Sequence, residues 1–360
     1  MSLRIATFNM ENLFTRPKVM NFDSWKQGKP ALEAYSKLTT LMAKDSYTQA
    51  DQEKMAEIIQ QFGTGKDKAF TLVEVRGKLY STTKKQVTVS GRADWIGWVE
   101  LVRGDIVWDA TENTGRVVQA IAADILLVVE VEDRTTLERF NDEVLARLEC
   151  AYPHSLLVDG NDDRGIDVGL LSKYPIRSVR PHFDDTDDVG VIFSRDCPEF
   201  EVELPGGRTL WMLGNHFKSK GYGSPAASNA KRLRQAERAR EIYTRARGSS
   251  EFVVLAGDLN DSPDSNAIQA LTAGVDMQDA MSHPVYAEKQ GKPGTYQTGN
   301  SLKQKIDYLF LSPALWASVG DVDVERRGVW APKTHQSFPE VTSSTTQASD
   351  HGALWVELSI

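Results

Sequence analysis

From about residue 115 onward, short apolar runs ended by polar residues alternate with turn-forming stretches, and helical spacing surfaces in few places. Runs rich in Val, Ile, Leu, Phe and Trp predict strands over 124–129, 167–172, 200–204, 209–213, 252–256, 306–311 and 353–358, with Arg4–Phe8 at the start. Leu204-Pro-Gly-Gly-Arg208 predicts a hairpin turn between two of them. Residues 229–246 predict a helix with Leu233, Ala236, Ala239 and Ile242 on its inner face. Many strands with few helices imply an α/β fold in which sheets pack face to face and helices lie outside.

Residues 19–115 have a different texture and are expected to form an insertion or subdomain, leaving 1–18 and 116–360 as the main domain. The segment is lysine-rich. It predicts a helix over 51–62, with Thr48 and Asp51 offering a capping box, then a β-like stretch over 70–89 that turns near Arg76-Gly77-Lys78. Trp95, Trp98 and Trp108 fall near its end. Residues 326–349 predict a long loop running straight into Asp350, and long loops in compact domains are often functional.

Composition narrows the classes. With 360 residues, 41% of them hydrophobic, the chain can bury a sizeable core. No apolar run reaches membrane-span length, and the start shows no signal region, so the chain reads as cytoplasmic. Two cysteines, Cys150 and Cys197, do not make a disulfide framework and are expected to be free thiols. A net charge of −8 argues against tight binding along extended nucleic acid, yet allows a few cations to hold one phosphate. A glycine-rich phosphate loop, a metal-binding cysteine pair and a Gly-x-Ser-x-Gly elbow are all missing, which disfavours nucleoside triphosphatases, zinc enzymes and serine hydrolases.

The candidate chemistry sits at strand ends, where a sheet holds side chains rigidly. Asn9, Glu130, His216 and the pair Asp258/Asn260 each follow an apolar run, and Asp350-His351 precedes the last one. Asp258 and Asn260 are two apart, so an extended chain points both to one side; Asp-Leu-Asn-Asp-Ser-Pro is equally good turn chemistry. A carboxylate at Glu130 is costly to bury without a cation or hydrogen bonds, while a solvated strand end is the plainer reading. Asn9, Glu130 and Asp350 form an all-oxygen set that suits Mg²⁺ or Mn²⁺. His216 has Lys218 and Lys220 beside it, which fits a phosphate site. Asp307 can orient an imidazole from behind, or form an ordinary strand-edge ion pair. His154, His182, His283 and His335 read as surface or loop residues.

Taken in order, Thr7-Phe-Asn9, Glu130-Val-Glu, Gly165-Ile-Asp-Val-Gly-Leu-Leu-Ser, Asn215-His-Phe-Lys-Ser-Lys, Gly257-Asp-Leu-Asn260, Lys305-Ile-Asp-Tyr-Leu and Ser349-Asp-His351 resemble the endonuclease/exonuclease/phosphatase superfamily. The likeness covers 1–16 and about 115–360. It implies a four-layer α/β sandwich, two packed and mainly antiparallel sheets flanked by helices. It also implies a metal site at Glu130 with Asn9 and Asp350, and catalytic roles for His216, Asp258, Asn260, Asp307 and His351. Lys218 is a candidate phosphate contact from its place beside His216, and Arg164 is either another or a surface salt bridge. The general base is left between Asp258 and His351.

The expected activity is divalent-metal-dependent hydrolysis of a phosphoester, foremost a phosphodiester with nucleic acid among the candidate substrates. A phosphomonoesterase acting on a lipid or sugar phosphate is the alternative. A non-catalytic phosphate-binding module ranks below both, because every charged site residue is present.

Overall fold

The computed structural model describes every residue except 14–16, 21–24, 66–67, 103–107, 163–164, 222–223, 289–293 and 299–300. The chain divides into two compact units, one of residues 1–14, 106–220 and 224–360, the other of 15–105 and 221–223. No described helix is long and apolar enough to cross a membrane.

The larger unit is built on two six-stranded sheets. Its strands are β1 (Ser2–Leu13), β2 (Ile125–Val131), β3 (His154–Val158), β4 (Asp167–Ser172), β5 (Ile176–Arg180), β6 (Glu199–Leu204), β7 (Arg208–His216), β8 (Phe252–Asp258), β9 (Gln278–Asp279), β10 (Asp307–Leu311), β11 (Val319–Glu325) and β12 (Ala353–Ser359). One sheet runs β11-β12-β1-β2-β4-β3 and the other β9-β10-β8-β7-β6-β5. Each has a single parallel pair at its centre, β1 with β2 and β7 with β8; every other neighbour is antiparallel. Parallel neighbours end at the same edge of a sheet, so their last side chains stand next to one another.

Period-2 alternation explains the layers. Ile125, Leu127 and Val129 join Leu3, Ile5, Met212, Val254 and Leu309 in the core between the sheets. Leu126 and Val128 face the other way, onto the helix Trp108–Ile121 and the segment around Phe140 and Val144. Val253, Leu255 and Phe310 likewise pack under the helix Pro225–Arg247. Five consecutive aliphatics are buried because both faces of β2 are covered. The order helix, sheet, sheet, helix is the expected sandwich.

The helix Pro225–Arg247 starts on Ser224, whose hydroxyl accepts from the Ala227 N–H, and buries Ala236, Ala239 and Ile242 as expected. Leu233 is only half-buried, whereas Arg232 and Gln235 are fully enclosed. The 204–208 hairpin forms with Gly206 and Gly207 at φ 84° and 75°, a conformation that costs glycine little. Cys150 and Cys197 are free thiols.

The smaller unit has its own core, Leu32, Leu38, Met55, Ile59, Phe70 and Trp95 among it. Its helix Gln49–Phe62 carries the expected capping box from Thr48 and Asp51. The chain turns at Gly77, φ 72°, as expected. Phe70–Arg76 pairs with Ile96–Leu101, and beyond the bend the Glu74 carboxylate accepts from the Leu79 and Tyr80 N–H groups. Trp108 begins a helix of the larger unit, so the boundary expected at residue 115 lies inside a helix.

Candidate active site

The centres of both sheets deliver polar residues at one edge. Along β1, Leu3 and Ile5 point between the sheets, and Asn9 continues that phase; Met212 leads to His216, Ala256 to Asp258, and Leu309 back to Asp307. His216 and Asp258 are register partners across the parallel pair, and Asp258 faces Asp307 across the antiparallel one. Gly257 sits at φ 129°, and a Cβ there would lie 1.9 Å from the Asn215 carbonyl oxygen, so only glycine permits this approach just before Asp258.

Glu130 arrives differently. Val129 faces the inter-sheet core, so strict alternation would send Glu130 outward. Instead its φ is 64° and the pairing with both neighbouring strands shifts register around it. This bulge in the left-handed region brings the carboxylate to 3.2 Å from the Asn9 amide. Left-handed backbone at a non-glycine residue costs roughly 1–2 kcal/mol, so the surrounding fold must hold it.

All eight expected catalytic and metal residues join one network. The Asn9 amide donates to Glu130 and Asp258, both at 3.2 Å, and its carbonyl oxygen accepts from the Glu11 N–H at 3.0 Å, which fixes the amide's orientation. His216 Nε2 lies 3.7 Å from both Glu130 and Asp258. Asp258 accepts from the Asn260 backbone at 2.8 Å and from its side-chain amide at 3.2 Å. His351 Nδ1 is 2.9 Å from Asp307, while its Nε2 lies 3.9 Å from Asp258 and 3.8 Å from Asp350. Ser349 donates to the Asn9 carbonyl at 2.7 Å, joining the last loop to β1.

Burial, with the Asp307 charge behind it, pushes Asp258 up to about 7 against the opposing pull of His351. Burial pushes His351 down, but Asp307, Asp350 and Asp258 outweigh it and hold the imidazole well above its usual range.

The residues fit a hard cation. The Tyr296 phenol resists ionisation because Asp350, then burial, then Asp258, Glu11 and Glu130 oppose a negative charge there. Four carboxylates acting on one point make a strongly negative field, and carboxylate oxygens are the donors a hard divalent ion takes. Asp258, Asp307 and His351 also bring one donor atom each within 4.8 Å of one another. Asn9, as oriented, holds the carboxylates through its N–H₂.

The segment after His216 is braced from the outer layer. Gln235 accepts from the Lys218 N–H at 2.8 Å, and Arg232 donates to the Lys218 carbonyl at 2.9 Å while its Nε meets Asp261 at 2.9 Å. That is the work of the two polar residues on the helix's inner face. Lys220 is paired with Asp261 at 2.7 Å. Arg164 lies outside the described residues.

Two residues beside the network escaped the sequence reading. Glu11 accepts from the Asp350 N–H at 3.0 Å, and its spacing two beyond Asn9 was a usable signal. Tyr296 packs on His351 with ring centroids 4.8 Å apart, and nothing in its context marked it. Among the other histidines, His182 is not a surface residue: it is buried between Asp185 and Glu199, 2.9 Å from each, and Arg245 joins the cluster.

A model of the Endonuclease/Exonuclease/phosphatase family matches residues 109–351. The chain belongs to that family. Among solved structures, truncated Caenorhabditis elegans TDP2 is 16% identical, with a TM-score of 0.52 over 71% of this chain and 93% of its own. An endonuclease/exonuclease/phosphatase family protein from Bacteroides thetaiotaomicron is 15% identical, with a TM-score of 0.52 over 99% of this chain and 97% of its own. Mannosyl-6-phosphatase Bt3783 of the same species is 16% identical, with a TM-score of 0.51 over 70% and 91%. These likenesses share the fold. No curated protein sequence matches significantly.

Proposed function

We propose that the chain hydrolyses a phosphodiester, in the manner of a nuclease, by in-line attack of water in a divalent-metal-dependent reaction. The observation that supports this most is Asp258, buried at the meeting of the two sheets with Asn9, His216, Asn260 and His351 around it. Asp258 accepts the proton of the attacking water, its carboxylate aimed by the two amides. His351, turned by Asp307, presents Nε2 to the charge that grows on the departing oxygen. His216 and Asn260 meet the phosphoryl oxygens, and Lys218 is the candidate for a further phosphate contact; the same role for Arg164 rests on the sequence alone. Glu130 and Asp350 would hold Mg²⁺ or Mn²⁺, with Asn9 supporting them. When bound, the ion supplies Lewis-acid stabilisation of phosphoryl charge.

The deciding experiment is hydrolysis of an aryl phosphodiester and of plasmid DNA with Mg²⁺, Mn²⁺, Ca²⁺ or EDTA, on wild type beside Asp258→Ala. Metal-dependent cleavage that disappears in the variant upholds the reading. Cleavage that survives in Asp258→Ala, or wild type inert on diesters but active on a monoester panel, rejects it.

A further inference from the structure

Residues 330, 332–339, 341 and 342 of the long loop line a groove of about 650 Å³. Its floor is tied to the catalytic edge by two amide side chains. Gln297 donates to the Trp330 carbonyl at 2.7 Å while its own N–H donates to the Asp350 carbonyl at 2.8 Å. Gln347 accepts from the Trp330 N–H at 3.1 Å, and its amide nitrogen lies 3.5 Å from Glu11. The Trp330 backbone is thus clamped on both sides by residues that each bond a member of the network.

The lining then states what would fit. Its polar side chains are largely spent on the loop itself: Ser337 donates to the Val329 carbonyl at 2.6 Å, Thr334 to that of Ala331 at 3.0 Å, and His335 Nε2 meets the Arg326 carbonyl at 2.7 Å. What remains is Trp330, Pro332, Pro339 and Val341, the part of Phe338 not covered by Arg327 and the core, the polar Gln336 and Thr342, and Lys333 as the one permanent charge of the lining. No carboxylate lines the groove, in a chain of net charge −8 whose neighbouring site concentrates acids. A sugar needs many hydroxyl partners; a flat aromatic ring carrying an anion needs an apolar face and one cation.

We infer that this groove seats the base of a nucleotide, with Trp330 against the ring and Lys333 on a phosphate that is not attacked. The groove would therefore set specificity for the hydrolysis proposed above, on which this inference rests. The shared chemistry is a nucleotide unit, free or within a strand.

The test compares two esters with the same leaving group, thymidine 5′-monophosphate p-nitrophenyl ester and methyl p-nitrophenyl phosphate, with a single-stranded oligonucleotide as a third arm. In wild type the nucleotide ester should have the higher kcat/KM. Trp330→Ala should shrink that preference about tenfold, mainly through KM, and Trp330→Phe should restore most of it. Lys333→Ala should shrink it less. Preference for the oligonucleotide over the free nucleotide ester would place the groove's partner within a strand. Equal losses on both esters would mean that Trp330 merely holds the loop, and would overturn the inference. Should wild type cleave neither ester, the catalytic reading falls and the groove is judged by calorimetric titration with thymidine 5′-monophosphate. Binding that Trp330→Ala abolishes upholds it, and absence of binding overturns it.

Discussion

The side-chain amide of Asn9, on one sheet, donates to Asp258 on the other at 3.2 Å, across 249 residues of sequence. The same nitrogen holds Glu130, so a single neutral group bridges a buried acid and a half-buried one where the sheets meet. Removing it leaves a carboxylate of 2% exposure short of a donor. Asn9→Ala should lower unfolding stability by about 1–3 kcal/mol in EDTA, read by urea titration. An unchanged midpoint would mean that Asn9 does not carry the bridge.

Asp258→Ala and His351→Ala should each lower turnover by about 10²- to 10⁴-fold while circular dichroism stays native. Asp307→Asn should follow His351→Ala closely, because Asp307 acts through the imidazole it orients at 2.9 Å. Double mutation at 307 and 351 should then cost little more than either alone; full additivity would show that the two work independently.

Three substitutions separate metal binding from backbone strain at Glu130. Glu130→Gln should raise the metal concentration needed for half-maximal activity, measured by Mg²⁺ and Mn²⁺ titration; an unchanged titration would place the ion elsewhere. Glu130→Gly and Glu130→Ala both delete the carboxylate, but only glycine is at ease at φ 64°. The glycine variant should be more stable than the alanine variant by about 1 kcal/mol. Equal melting temperatures would show that the bulge relaxes without its side chain.

Away from the centre, burial pushes Asp167 up to about 7 and Asp196 up to about 6. Below about pH 4 both the folded and the unfolded chain hold these protons; between there and pH 6–7 only the folded chain does. Their contribution to stability is therefore full at acid pH, is lost as pH rises through 6–7, and is flat above. For Asp167 it is bounded at about 4 kcal/mol. Asp167→Asn should be relatively more stable at pH 8 than at pH 5 when compared with wild type, by chemical denaturation at both. A pH-independent difference would mean that Asp167 is already ionised in the fold.

Most of the sandwich is written in local pattern. The strands at 167–172 and 252–258 are apolar runs with clear ends, and Thr48 announces its helix by a cap that needs only three following residues. Strand 176–180 was not legible because only Ile176 and Val179 in it are apolar, and the helix at 25–42 was not because Gly28 and Pro30 read as breakers, although Leu32, Tyr35, Leu38 and Met42 keep helical spacing. His182 gave no sign of burial, because its charge partners lie on other elements.

The same division runs through the site. Asn9, His216, Asp258 and Asp307 keep the period-2 phase of the core residues in their strands, so sequence alone places them at the edge of the inter-sheet core. Glu130 is out of phase with Val129, and no local rule returns it. Its left-handed bulge exists because β2 is paired on both sides, to β1 and β4, with a register that fits only if one residue is extra. Which strands become neighbours, and so which side chains meet, is decided by long-range pairing. Alternation sets the face of each residue; tertiary structure sets its company.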